Sequence, residues 1–352
     1  MSEARNDLKH IAVLAFPVAT HGPPLLSLVR RLSASASYAK FSFFSTKESN
    51  SKLFSKEDGL ENIKPYNPED RTIDILPGFS ELRGSDIPKE LFLDVKESQF
   101  AAMLCKMGLA LPQAAVVASN SFEELDPDAV ILFKSRLPKF LNIGPFVLTS
   151  PDPFMSDPHG CLEWLDKQKQ ESVVYISFGS VITLPPQELA ELVEALKECK
   201  LPFLWSFRGN PKEELPEEFL ERTKEKGKVV SWTPQLKVLR HKAIGVFVTH
   251  SGWNSVLDSI AGCVPMICRP FFGDQTVNTR TIEAVWGTGL EIEGGRITKG
   301  GLMKALRLIM STDEGNKMRK KLQHLQGLAL DAVQSSGSST KNFETLLEVV
   351  AK

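Results

Sequence analysis

Apolar runs of strand length alternate with helical patterns along almost the whole chain, and few architectures accept that rhythm. Strands are expected at 10–16 (HIAVLAF), 41–46 (FSFFST), 115–122 (AVVASNSF) and 173–180 (VVYISFGS). Four more are expected at 202–207 (PFLWSF), 228–232 (KVVSW), 244–250 (IGVFVTH) and 264–270 (VPMICRP). Near-continuous apolarity is what a strand needs when helices cover both faces of a parallel sheet. Between the strands, Leu25, Leu28, Val29 and Leu32 keep the i, i+3, i+4, i+7 spacing of a helix face behind Pro23-Pro24, and Leu189, Leu192, Val193 and Leu196 repeat it behind Pro185-Pro186. Proline costs nothing in a first helical turn, whose N–H groups have no intrahelical acceptor. Strand–helix alternation of this kind predicts an α/β protein with a doubly wound parallel sheet.

The chain has 352 residues, more than the roughly 250–300 that one core usually serves, so two domains are expected. Four prolines break the periodicity across 140–160. This predicts a first domain at 1–147, a linker at 148–160, and a second domain at 161–352 that ends in helices. The first domain looks thin, with two strands by residue 67 followed by polar sequence. A formal net charge of −1 argues against a nucleic-acid partner. No apolar stretch approaches the roughly 20 residues of a membrane span. The start reads as a mature N-terminus running into a first strand, not as a signal peptide. Five scattered cysteines without a CxxC pair fit reduced thiols in a cytoplasmic protein with no metal site.

In a doubly wound fold, ligands bind outside the carboxyl ends of the strands. Four polar segments fall at such ends: FGSV (178–181), SWTPQ (231–235), THSGWNS (249–255) and PFFGDQ (270–275). Helix N-termini there favour a phosphate, because their amides lack partners and the helix dipole attracts an anion. Gly252 allows close backbone approach, and Asn254 and Ser255 are capping residues with hydrogen bonds to offer. Trp232 has a flat face for a base, Asp258 can accept two ribose hydroxyls, and Asp274 and Gln275 suit sugar hydroxyls. The segments together predict a nucleotide-sugar site.

The run from Trp232 to Gln275, with its Trp, Pro-Gln, His, Gly-Trp-Asn-Ser, Pro and Asp-Gln positions, resembles the signature box of plant family 1 UDP-glycosyltransferases, nearest to the flavonoid 3-O-glucosyltransferases. HGCLEWLDKQ, SVVYISFGS and AFPVATHGPPLL resemble the family outside the box. The resemblance implies a GT-B fold of two facing Rossmann-like domains, the donor held by the second. It implies that Trp232 stacks on uracil with Gln235 at the base edge, and that Asp258 holds the ribose where the family usually has Glu. Ser180, His250, Asn254 and Ser255 would contact the phosphates, and Trp253, Asp274 and Gln275 the sugar. A Gln closing the box is similar to members that use UDP-glucose. The implied reaction is inverting glucosyl transfer from UDP-glucose to the 3-hydroxyl of a flavonol or anthocyanidin, by a cytoplasmic monomer without a cofactor.

His21 follows the first strand at the start of the first helix. An imidazole titrates near about 6.5, which suits a base that takes the acceptor proton, and the family places its base there. The family also orients that His with an Asp, in a TDAFFW-like segment that this sequence lacks. After NIKPYN (62–67) the chain passes at once to PEDRTIDILPGF, so the first domain is shortened by on the order of 100 residues. An alternative expectation is a UDP-sugar-binding remnant with impaired catalysis.

Overall fold

The computed structural model describes residues 9–14, 22–36, 39–44, 81–87, 98–149 and 156–351. Two compact units divide the chain. Met1–Asn67, Glu90–Pro151 and Ala329–Lys352 form the first, and Pro68–Lys89 and Asp152–Leu328 form the second.

In the first unit, strand β1 (Lys9–Leu14), helix α1 (Gly22–Ser35) and strand β2 (Ala39–Phe44) form a β-α-β start to an α/β pattern, with β1 and β2 paired in parallel. Helix α2 (Gln99–Ala110) is capped by Ser98, whose hydroxyl accepts from the Ala101 amide. Strand β3 (Val117–Ser119), helix α3 (Pro127–Arg136) and strand β4 (Phe140–Asn142) form a second parallel pair. The β4 strand lies inside the stretch expected to be a proline-broken segment; its three residues, followed by Pro145, form no apolar run of strand length.

Helix α4 (Cys161–Asp166) opens the continuous part of the second unit. There follow β5 (Val173–Ser177), α5 (Pro186–Glu198), β6 (Phe203–Ser206), α6 (Glu217–Thr223), β7 (Gly227–Val230), α7 (Gln235–Leu239), β8 (Ile244–Thr249), α8 (Trp253–Gly262), β9 (Met266–Cys268), α9 (Gln275–Arg280), β10 (Gly289–Glu291) and α10 (Lys299–Ser311). All six strands pair in parallel, in the order β10-β9-β8-β5-β6-β7. Helix α11 (Asp313–Ala332) crosses from the second unit's residues into the first's, and α12 (Ser338–Ala351) belongs to the first.

The apolar runs become the sheet because both faces are covered. Val174, Ile176, Val246 and Val248 are buried with Leu192, Val193 and Leu196 of α5 and with Leu302, Leu306 and Ile309 of α10. On alternate positions, Tyr175 stacks on its register partner Phe247 at 4.9 Å between ring centroids. Helix α5 starts at Pro186 and ends at Glu198. The Lys226 ammonium donates to the Leu196 and Lys197 carbonyls at 3.0 and 3.3 Å, satisfying acceptors that a helix end leaves without partners. In the first unit, α12 docks on β4: Phe343 and Leu346 join Leu32, Leu141, Ile143 and Phe146, and the Asn342 amide donates to the Asn142 carbonyl.

Residues 81–87, distant in sequence, belong to the second unit, where they lie on α9. The Thr276 hydroxyl donates to the Asp86 carbonyl at 2.7 Å and the Arg280 guanidinium to the Glu81 carbonyl at 2.9 Å. No helix among the described residues is long and apolar enough to cross a membrane.

Candidate active site

The strand order places a topological switch between β5 and β8: the chain winds outward through β6 and β7, then returns to β8 on the other side of β5. At such a point two consecutive crossovers leave in opposite directions and open a crevice at the carboxyl edge. The strand ends are level, because Ser177 is the register partner of both Thr249 and Ser206, and Thr249 is that of Cys268. The segments after β5, β7, β8 and β9 therefore emerge along one edge. They carry every site residue the sequence predicted in this unit: Ser180; Trp232 and Gln235; His250, Trp253, Asn254, Ser255 and Asp258; Asp274 and Gln275. His21 lies outside the described residues.

His250 sits at the switch itself. Its ring lies between two glycines, so close that a Cβ on Gly252 would stand 2.5 Å from Nε2 and one on Gly179 2.9 Å from it. Gly179 has φ +76, a left-handed value that also favours glycine. The imidazole is 9% exposed, and its Nδ1 has no hydrogen-bond partner among the described residues. Burial pushes its pKa down from 6.5 to about 4, so the ring is neutral at neutral pH. Helix α8 begins three residues later. Its cap, Gly252, contributes no side-chain hydrogen bond, and its first turn holds no acid. That start favours an anion.

Beyond the helix start, the side chains are braced against one another. The Gln235 amide donates to Asp258 Oδ2 at 2.9 Å and to Ser255 Oγ at 3.1 Å. Its carbonyl accepts from the Tyr175 hydroxyl at 3.3 Å, and that hydroxyl shares a 2.7 Å hydrogen bond with Thr233. Trp232, three residues before Gln235, is exposed. Asn278 joins two of the loops, its amide donating to the Ser251 carbonyl at 2.9 Å and to Asp274 Oδ2 at 3.0 Å. Gln275 is buried, and its carbonyl accepts from the Phe271 and Phe272 amides at 2.8 and 3.3 Å. The loop before it is held by Arg269, which donates to Glu188 at 2.9 Å and lies 3.8 Å over the Phe271 ring. Both partners of that pair are largely buried, and the Arg269 hydrogen bond together with the Ile297 amide holds the Glu188 carboxyl below its usual range against the burial that would raise it. Trp253 contacts Trp286, ring centroids 6.4 Å apart.

Sequence reasoning missed Tyr175, Thr233, Glu188, Arg269 and Asn278. Tyr175 stands in an apolar strand run and reads as core, while Glu188 reads as an exposed helix carboxylate. Only the spacing of Asn278 three residues beyond Gln275, on the same turn of α9, was available as a signal.

The family model for "UDP-glucoronosyl and UDP-glucosyl transferase" matches residues 148–326. The chain is 41% identical to a flavonoid 3-O-glucosyltransferase of Medicago truncatula, over 98% of this chain and 97% of that protein. It is 40% identical to an anthocyanidin 3-O-galactosyltransferase of Actinidia chinensis, over 97% of each. Its structure is similar to that of a UDP-glucose: anthocyanidin 3-O-glucosyltransferase crystallised with UDP, with a TM-score of 0.87 and 34% identity over 98% of this chain and 99% of that one. The Medicago alignment runs over 443 positions against 352 residues here, so the chain lacks an internal stretch that the relative has. The fold is GT-B, built of two α/β units with parallel sheets. Whole-chain identity and the family match together make this chain a member of the UDP-glycosyltransferase family.

Proposed function

We propose that the chain transfers glucose from UDP-glucose to the 3-hydroxyl of a flavonoid, a flavonol or an anthocyanidin. The observation that supports this reading is that the segments carrying Trp232, His250, Asp258 and Gln275 all leave the same carboxyl edge of one parallel sheet, on both sides of the β5/β8 switch point. The names of the relatives that match nearly the whole chain support the acceptor class.

In this reading the second unit (Pro68–Lys89 and Asp152–Leu328) holds the donor and the first the acceptor, with 148–160 as the linker. Trp232 stacks on the uracil. Asp258, steadied by Gln235, accepts the ribose hydroxyls. The diphosphate lies at the start of α8, where Asn254, Ser255 and Ser180 donate. A neutral His250 with its proton on Nε2 donates there as well, which leaves Nδ1 as a buried lone pair and avoids a buried unpaired N–H. Trp253, Asp274 and the Gln275 amide nitrogen face the hexose. His21 removes the acceptor proton as its oxygen attacks the anomeric carbon, and UDP departs from the opposite face with inversion. Fixed dipoles at the diphosphate stabilise the charge that develops on the leaving group.

A second reading is favoured by the internal stretch absent from this chain: a UDP-sugar-binding remnant without turnover. In the family that stretch carries the Asp that orients the base. One preparation separates the two. UDP is titrated by calorimetry, and quercetin with UDP-glucose is assayed for the 3-O-glucoside. Product supports transfer; tight UDP binding without product, in folded protein, supports the remnant; no UDP binding by folded protein defeats both. With product in hand, His21→Ala should abolish it and leave UDP affinity within about twofold.

A further inference from the structure

The hydrogen bonds beneath the ribose position run in one direction only. A carboxylate can only accept, so the group that Gln235 presents to Asp258, 2.9 Å away, is its NH2. Its carbonyl is then turned to Tyr175, 3.3 Å away, and the phenol must donate to it. With that proton committed, the 2.7 Å contact with Thr233 is a bond in which the threonine donates. The sequence Thr233 to Tyr175 to Gln235 to Asp258 leaves one orientation of the amide. Tyr175 and Thr233 are both buried, and the phenol ring is fixed by stacking on Phe247. Burial raises the Tyr175 pKa, with Asp258 adding to the shift, so the phenol keeps the proton this arrangement needs.

We propose that Tyr175 and Thr233 are positioning residues for the ribose end of the donor: they lock the Gln235 amide and so aim the Asp258 carboxylate at the sugar hydroxyls. Asp258 is one methylene shorter than a glutamate, so its reach depends on where it is held. Removing the phenol leaves the Gln235 carbonyl without its buried donor, so the amide shifts from this position and the carboxylate it holds moves with it. The inference rests on the reading in which Asp258 receives the ribose.

The test compares UDP with 2′-deoxy-UDP by calorimetric titration on the wild-type chain, Tyr175→Phe and Thr233→Val. A hydroxyl bonded to a carboxylate gives the wild type an expected preference for UDP of about tenfold or more. Tyr175→Phe should reduce that ratio to about two- to threefold, mainly by weakening UDP, and Thr233→Val should move it the same way by less. Equal loss of both ligands, with the ratio kept, is what damaged packing would produce and overturns the proposal. Should Tyr175→Phe not fold, Thr233→Val decides by the same ratio. A wild type that binds UDP without discriminating would remove the ribose role of Asp258 and this inference with it. A wild type that discriminates, with variants that keep the ratio, would defeat the inference alone.

Discussion

Mild acid should weaken the second unit through His250. The imidazole is 9% exposed, its Nδ1 has no partner among the described residues, and burial alone pushes its pKa from 6.5 to about 4. The folded state therefore resists a proton that the unfolded chain accepts. Above pH 6.5 the ring is neutral in both states and contributes no pH dependence. Between pH 6.5 and 4 the unfolded state binds more protons, so stability falls with pH by about 1.4 kcal/mol per unit. That is about 2 kcal/mol lost by pH 5 and about 3 kcal/mol at pH 4, where the loss levels off. All five tryptophans (Trp164, Trp205, Trp232, Trp253 and Trp286) lie in the second unit, so their fluorescence reports on it. Urea unfolding should be followed this way from pH 7.5 to 4.5 for the wild type and for His250→Gln. Titrations common to both proteins cancel in the difference. Between pH 7 and 5 the wild type should lose about 2 kcal/mol more than the variant, and saturating UDP should shrink that gap, because a phosphate beside the ring favours its charged form. Parallel profiles would show that the buried imidazole does not resist protonation.

Trp232→Ala should weaken UDP binding by about 10- to 100-fold, the worth of one base–aromatic stack; unchanged affinity in a calorimetric titration would remove its role. Gly252→Ala keeps an ordinary backbone at φ −63 but brings a Cβ to 2.5 Å from His250 Nε2, with the Gly179 backbone close against the same ring. UDP affinity should fall by more than about tenfold, through displacement of the ring, and a variant that binds UDP normally would show that the ring can yield. Glu188→Ala strips Arg269 of its carboxylate and the Ile297 amide of its acceptor. Leaving that guanidinium buried and unpaired should cost about 3–5 kcal/mol in urea unfolding, and a loss below about 1 kcal/mol would mean that the loop relaxes around it.

The alternation of apolar runs and helical patterns predicted an all-parallel doubly wound sheet, and β5 to β9 each fall within or a residue from their expected ranges. Burial on both faces forces such strands to be apolar throughout, and that demand is local enough to read from one segment at a time. The four polar segments at strand ends were legible for the complementary reason: small polar residues directly behind a buried strand serve no packing need. Strand order was not legible. The adjacency of β5 and β8, which brings Gly179 against His250, joins residues about seventy positions apart in the sequence, and periodicity carries nothing across that distance. β4 and β10, at three residues each (FLN and GLE), lie outside any apolar run of strand length, whereas β3 and β9, equally short, lie within such runs. Residues 81–87 group with the second unit and α12 with the first, because each is held by long-range hydrogen bonds and side-chain packing. Tyr175 shows the division most plainly. As sequence it is one more aromatic in an apolar run; only its placement beside Thr233 and Gln235 joins a core residue to the hydrogen-bonded group that reaches Asp258, since a hydrogen bond depends on atoms meeting and not on the composition around them.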